Sequence, residues 1–328
     1  MKSILRCACA ALGMLLSPQA AANDYSALLK THKFAEVERI ASAKLAQDPA
    51  NLEALVAKSD AILGSGAAGR IEEAVKLGEG CVASHPQVSQ CHVALGNALG
   101  AKAMANGIMS AIGYAGTIRD AFKKAVELDP QNMEARLSLL QYYMQAPAIV
   151  GGGSGKAKTL AAQTVAINPD GGKLMMARLD ASDDKLAQAE AAVLAMPTSG
   201  NEAVADGQRD LMVNLGNKYM NDKRFADSER MFREAFRRHP DSDGALYGLA
   251  RVQQEQGKHR EALATMEQVI LMNPRASAWY RIGQSQQALG DKPKAAAAYE
   301  KALSFKAGIS PKMKADAEDQ LKVLKTRS

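Results

Sequence analysis

The sequence predicts an all-α solenoid of about seven helical hairpins. Three observations carry that expectation. The first is a repeat: Met212-x-x-Leu215-Gly216-x-x-Tyr219 returns 34 residues on as Leu246-x-x-Leu249-Ala250-x-x-Gln253, and 33 residues later as Trp279-x-x-Ile282-Gly283-x-x-Gln286. The second is a companion phrase in each copy: Ser228-x-x-x-Phe232-x-x-Ala235, Ala262-x-x-x-Met266-x-x-Val269 and Ala295-x-x-x-Tyr299-x-x-Ala302. Apolar residues spaced by three and four make the stripe of an amphipathic helix, so each copy holds two. The third is punctuation. Asn221-Asp222-Lys223, Gln256-Gly257-Lys258 and Gly290-Asp291-Lys292 separate the two helices, and Pro240 and Pro274 end the second, which proline cannot continue. One such hairpin cannot bury its own apolar face; stacking on the next copy does.

A sustained period near 34 with this alternation of large and small residues resembles the tetratricopeptide repeat family. The small Gly216, Ala250 and Gly283 let two helices approach, and Tyr219, Phe232, Met266 and Tyr299 fill the space beside them. The resemblance implies a right-handed superhelix in which first helices line a concave groove and second helices the convex side. It also implies a protein or peptide ligand in that groove. The groove-facing residues of the regular copies would be Asn214, Asn217, Tyr247, Arg251, Tyr280, Arg281 and Gln284. Asn217 and Arg281 fall on positions like those of the carboxylate clamp of chaperone-binding members. Val213, Gly248 and Ser277 replace its other residues, which puts capture of a C-terminal carboxylate in doubt.

Met1–Ala22 reads as a secretory leader: basic Lys2 and Arg6, an apolar run, then Ala20-Ala21-Ala22 before the expected cleavage. It is short for a membrane span, and Cys7 and Cys9 stand in the wrong context for lipidation. The expected location is the periplasm. Losing the leader lowers the formal charge from +6 to +4, a mildly basic balance without the excess that nucleic-acid binding needs.

Residues 23–197 read as degenerate repeats with insertions. A first copy breaks at Lys30–Lys33 and closes at Asp48-Pro49; a second runs from Leu52 to Pro86. The third is stretched. Val93-x-Leu95-Gly96-x-x-Leu99 and Ile118-x-x-x-Phe122-x-x-Ala125 are its helices, and Ala101–Thr117 is an insert with one charge, Lys102. Gly107, Gly113 and Gly116 argue against a rigid helix throughout the insert. Its Met104, Ile108, Met109, Ile112 and Tyr114 either fold back on their own repeat or form a second, apolar interface for a partner or a membrane surface. The copy from Met133 to Pro169 carries a Gly-rich expansion, Ala146–Gly155, similar to a segment in some secreted bacterial members of the family. Lys173–Ala181 and Lys185–Ala195 make a shortened pair, and residues 198–208 a linker. Three regular repeats span 209–307, and a capping helix fills 308–328, opening at Pro311.

No arrangement of residues argues for catalysis, so no catalytic residue, metal or cofactor is expected. Gly151–Lys156 lacks the glycine a phosphate loop needs at Val150, the Ser or Thr it needs at Ala157, and a preceding strand. Cys81 and Cys91 flank Pro86 symmetrically, with His85 and His92 nearby. A disulfide is the first expectation in an exported chain; two buried thiols and a zinc site of weak spacing are the alternatives. Arg230, Arg233 and Arg237 share one helix face interleaved with Glu229 and Glu234, which suits a solvated surface and, alternatively, an anionic contact. The sequence thus points to a non-enzymatic scaffold. A lid enzyme or small-ligand carrier built on the two insertions, and a membrane-peripheral assembly factor, are the rivals.

Overall fold

The computed structural model describes residues 19–305 and 308–326, so Met1–Pro18, most of the expected leader, lies outside the described residues. The described residues form eight antiparallel helix pairs and a final single helix, one pair more than the sequence suggested. The pairs are α1 (Gln19–Lys30) with α2 (Phe34–Gln47), α3 (Leu52–Gly64) with α4 (Ile71–Ser84), α5 (Ser89–Ala105) with α6 (Ile108–Leu128), and α7 (Met133–Gln145) with α8 (Ser154–Ile167). Then follow α9 (Pro169–Ser182) with α10 (Leu186–Ala195), α11 (Glu202–Asn221) with α12 (Phe225–Arg238), α13 (Asp243–Glu255) with α14 (His259–Met272), and α15 (Ala276–Ala288) with α16 (Lys292–Leu303). The cap α17 (Pro311–Thr326) closes the array on α16 and α15.

Local chemistry sets these boundaries. The first helices α3, α7, α9 and α11 each start on an asparagine whose side chain accepts from the third backbone N–H: Asn51, Asn132, Asn168 and Asn201. Ser242 does the same for α13. The turns inside five hairpins share one geometry. A residue with left-handed backbone (His32, Asp184, Lys223, Gly257 or Gly290) lets the next N–H reach back to a carbonyl of the first helix, as in Lys258 N to Gln253 O at 2.8 Å.

Packing follows the small–large alternation. The Phe232 ring is fully buried between two glycines. A Cβ at Gly216 of its own hairpin would meet the ring at 2.9 Å, and one at Gly248 of the next hairpin would overlap it outright. Each odd-numbered helix also touches the next odd-numbered one along the chain, from α1 through α17. The first helices are therefore the closely spaced inner layer, and their free faces line the concave side.

One segment differs from the sequence expectation, and a second meets it at Gly107 alone. Residues 202–208, placed in a linker, are the first turns of α11, because Asn201 caps the helix and Val204, Gly207 and Leu211 bury one face. The preceding segment folds back onto it, with Gln208 donating to Pro197 O at 2.9 Å. The Ala101–Thr117 insert is helical on both sides of a single break at Asn106–Gly107. Its glycines other than Gly107, whose φ is +83°, are accommodated within α6.

Candidate binding groove

Cys81 and Cys91 are joined by a disulfide, with Cα atoms 5.2 Å apart. It ties the end of α4 to the start of α5 beneath the Leu55 core. His92 is turned to Pro86 O at 2.9 Å. Among the described residues no group of three or more His, Cys, Asp and Glu is placed to hold a metal ion. The α12 arginines are held by carboxylates of the chain: Arg230 by Glu190 and Asp227, Arg233 by Glu229, Arg237 by Glu234. Arg238 pairs with Glu234 and donates to the Met196 and Leu194 carbonyls, which locks α12 to the end of α10. Hydrogen bonds from Arg237 and Arg238 outweigh burial and bring the Glu234 carboxyl down to about 2.

Six of the seven groove residues named from the resemblance fall into two networks. Asn214 is exposed on α11. Asn217 accepts from Arg251 of the neighbouring α13 at 3.2 Å while donating to Val213 O at 3.0 Å. Tyr247 is half-buried, with the Arg275 guanidinium 4.4 Å from its ring centre and that of Arg251 at 6.0 Å. Burial, and then the charge of Arg281, lowers the Arg251 pKa. Asn217, Tyr247 and Arg251 thus form one strip across two repeats, basic in character.

The second network runs from Arg281 to Gln284 at 3.2 Å, from Gln284 to the Tyr280 hydroxyl at 2.8 Å, and on to Asp316 of the cap at 2.7 Å. Tyr280, read as a groove residue, is buried: α17 covers it and Tyr299 packs beside it. Burial and the Asp316 carboxylate push its hydroxyl up to about 12. It joins the last repeat to its cap and is not free to anchor a ligand.

Nearer the N-terminus the groove closes. α1 crosses to the middle repeats. Ser26 donates to Glu202 at 2.8 Å, Lys30 pairs with the same carboxylate at 2.9 Å, and His32 meets Asp243 at 3.2 Å. The closure bounds a cavity of about 810 Å³ between α1, α3, α11 and the starts of α7 and α13. It runs on into a second space of about 690 Å³ that shares Gln90, Glu134, Glu202, Asp206 and Asp210. Eight carboxylates line the cavity against two permanent cations, Lys30 and Arg209. Glu53, Glu134, Glu202 and Asp243 sit in the first turns of their helices, where a negative charge favours the helix dipole. Asp206 and Asp210 share Arg209, at 2.6 and 3.0 Å. Asp60, two turns inside α3, has neither role. Burial, and then the Glu134 charge, raises its carboxyl to about 7. No sequence motif marked this cavity, because it depends on contacts between residues 176 and 211 positions apart.

The two insertions stand away from it. α5 starts at the groove, with Gln90 in its wall, and ends at an exposed tip where Met104, Met109 and Ile112 are 78%, 79% and 56% accessible. Fourteen residues of helix separate the two ends, about 21 Å. Ala103 and Ala115 pack inside the tip, Tyr114 is half-buried against Lys102, and the Ile108 side chain lies outside the described residues. The Gly-rich expansion is pinned to its own hairpin: the Tyr142 hydroxyl donates to Val150 O at 2.6 Å, Gly153 N to Tyr143 O at 2.8 Å, and Lys156 to Gly151 O at 2.9 Å. Neither insertion is placed as a lid over the cavity.

The family pattern described as Tetratricopeptide repeat matches residues 213–253 and 247–312. None of the curated proteins matches the chain. Among solved structures it is similar to yeast Tom70, with a TM-score of 0.60 and 13% identity over 90% of this chain and 60% of that one. It is similar too to Cut9 in the APC/C hetero-tetramer Cut9–Hcn1, at TM-score 0.48 and 16% identity over 96% of this chain and 57% of that one. A tetratricopeptide repeat protein from Parabacteroides merdae shows TM-score 0.40 and 15% identity, covering 94% and 98%. The chain spans under two thirds of the first two proteins. At these identities the Tom70 likeness is one of fold.

Proposed function

We propose, from the premise that this chain belongs to the tetratricopeptide-repeat family, that it is a non-enzymatic protein-binding scaffold of the periplasm that holds a segment of its partner in the concave groove. The observation that carries the reading is the strip Asn217–Arg251–Tyr247, half-buried on successive first helices and free of the cap. Amide, guanidinium and aromatic groups enclosed in this way are the types that dominate interface energies. The leader pattern of Met1–Ala22 and the disulfide both suit an exported protein.

Asn217→Ala, Tyr247→Ala and Arg251→Ala, each compared with wild type against a partner captured by crosslinking in envelope extract, test it. Each is expected to fold normally by thermal unfolding and to weaken binding by roughly 1–2 kcal/mol. Three folded variants that bind that partner as wild type does would remove the strip as the site.

A membrane-peripheral reading has one observation of its own, the exposed Met104, Met109 and Ile112 at the α5–α6 tip. Flotation of the protein with lipid vesicles checks it. Among the described residues no helix is long and apolar enough to cross a membrane.

A further inference from the structure

The whole chain carries a formal charge of +6, yet this cavity is walled by carboxylates. Glu53, Asp60 and Glu134 line it with no cationic partner among the described residues. Helix-start preference accounts for Glu53 and Glu134 but not for Asp60, whose neighbour across the cavity is another acid. A carboxylate withdrawn from water beside a like charge is costly unless a cation or a proton meets it. At this site the chain supplies only the proton. On the same wall it does supply a cation: α1 brings the Lys30 ammonium and the Ser26 hydroxyl to Glu202. α1 thus shows in cis which groups the wall accepts. The apolar faces of Leu29, Val56 and Val213 flank the acids, as the stem of a lysine or arginine side chain requires.

We propose that this cavity and the space continuous with it bind a lysine- or arginine-bearing stretch of extended polypeptide, one cationic side chain seating between Asp60 and Glu134. The inference rests on the scaffold reading and adds the chemistry of the bound segment. It places that segment on α3, α7 and α11, apart from the basic strip on α11 and α13. An extended chain running from one to the other would meet acidic and then basic groups, so the groove also sets the direction in which the segment lies.

The test uses blocked octapeptides that alternate alanine with lysine, glutamine or glutamate, labelled and titrated by fluorescence anisotropy at physiological salt. Wild type should bind the lysine peptide at least about tenfold more tightly than the other two, the effect of one charge-assisted hydrogen bond. Asp60→Asn with Glu134→Gln should abolish that preference while keeping the thermal unfolding curve of a folded protein. Glu318→Gln on the cap, a surface acid outside the cavity, should preserve it. Failure of wild type to bind the lysine peptide, equal binding of lysine and glutamine peptides, or a preference that survives in the double variant would each overturn the proposal. A captured partner that still needs Tyr247 and Arg251 in any of those cases would leave the scaffold reading standing without it.

Discussion

At position 60 an acid faces a second acid inside a cavity, and its carboxyl is raised from 3.8 to about 7 by burial first and Glu134 second. Between those two values the folded chain keeps the proton and the unfolded chain has lost it, so Asp60 makes stability fall as pH rises through the window. Asp60→Asn should therefore stabilise the protein above pH 7, on the order of 1–2 kcal/mol after allowing for solvent in the cavity, and change little below about pH 4. Thermal melts of both proteins across that range check the sign; an asparagine variant less stable at pH 8 would contradict it. Lys223 is a smaller case of local strain. It holds the left-handed turn between α11 and α12 at φ +59°, where the next two hairpins use Gly257 and Gly290. Lys223→Gly should raise stability by about 0.5–1 kcal/mol in denaturant melts, because only glycine adopts that backbone without a Cβ penalty.

The hairpin is the element that the sequence makes legible, and the reasons are local. Residues 209–307 repeat because every first helix needs a small residue opposite a large one, as Gly216 and Gly283 face Phe232 and Tyr299. The turn residues Lys223, Gly257 and Gly290 recur with the same period. The N-terminal half hides the same architecture behind insertions: α5 and α6 are lengthened past the regular register by the helical tip around Met104 and Met109. The groove was legible only in part. Asn217, Arg251 and Tyr247 lie together, whereas Tyr280 is taken by Asp316 of α17, a contact that periodicity does not encode. Among the described residues the α4–α5 turn is the one place where a covalent link reinforces repeat packing. Cys81 and Cys91 are both fully buried, and the loop they close is ten residues. Cys81→Ala with Cys91→Ala should cost roughly 2–3 kcal/mol. Non-reducing mass spectrometry of the wild type, two hydrogens lighter than its reduced form, is the matching control.

On the scale of the molecule, the array is a solenoid whose first helix returns to its middle. Ser26, Lys30 and His32 reach Glu202 and Asp243 across the groove, and the cavity exists because of that return. The three contacts are exposed or half-buried, so each is worth little alone. Lys30→Ala with His32→Ala should leave the melting temperature nearly unchanged but speed hydrogen exchange in the first turns of α11 and α13; unchanged exchange there would mean that the closure does not depend on these side chains. With the ring closed, the inner face is acidic around Asp60 and basic around Arg251, and the outer α12 face has its arginines already paired. That contrast is what favours the concave side as the proposed partner site. The most direct measurement puts a photo-crosslinking amino acid at position 217 or 247 on the inner face and at position 237 on the outer, then irradiates each with the captured partner. A partner seated in the groove gives crosslinks from 217 and 247 and none from 237. Crosslinks from 237 alone would contradict it.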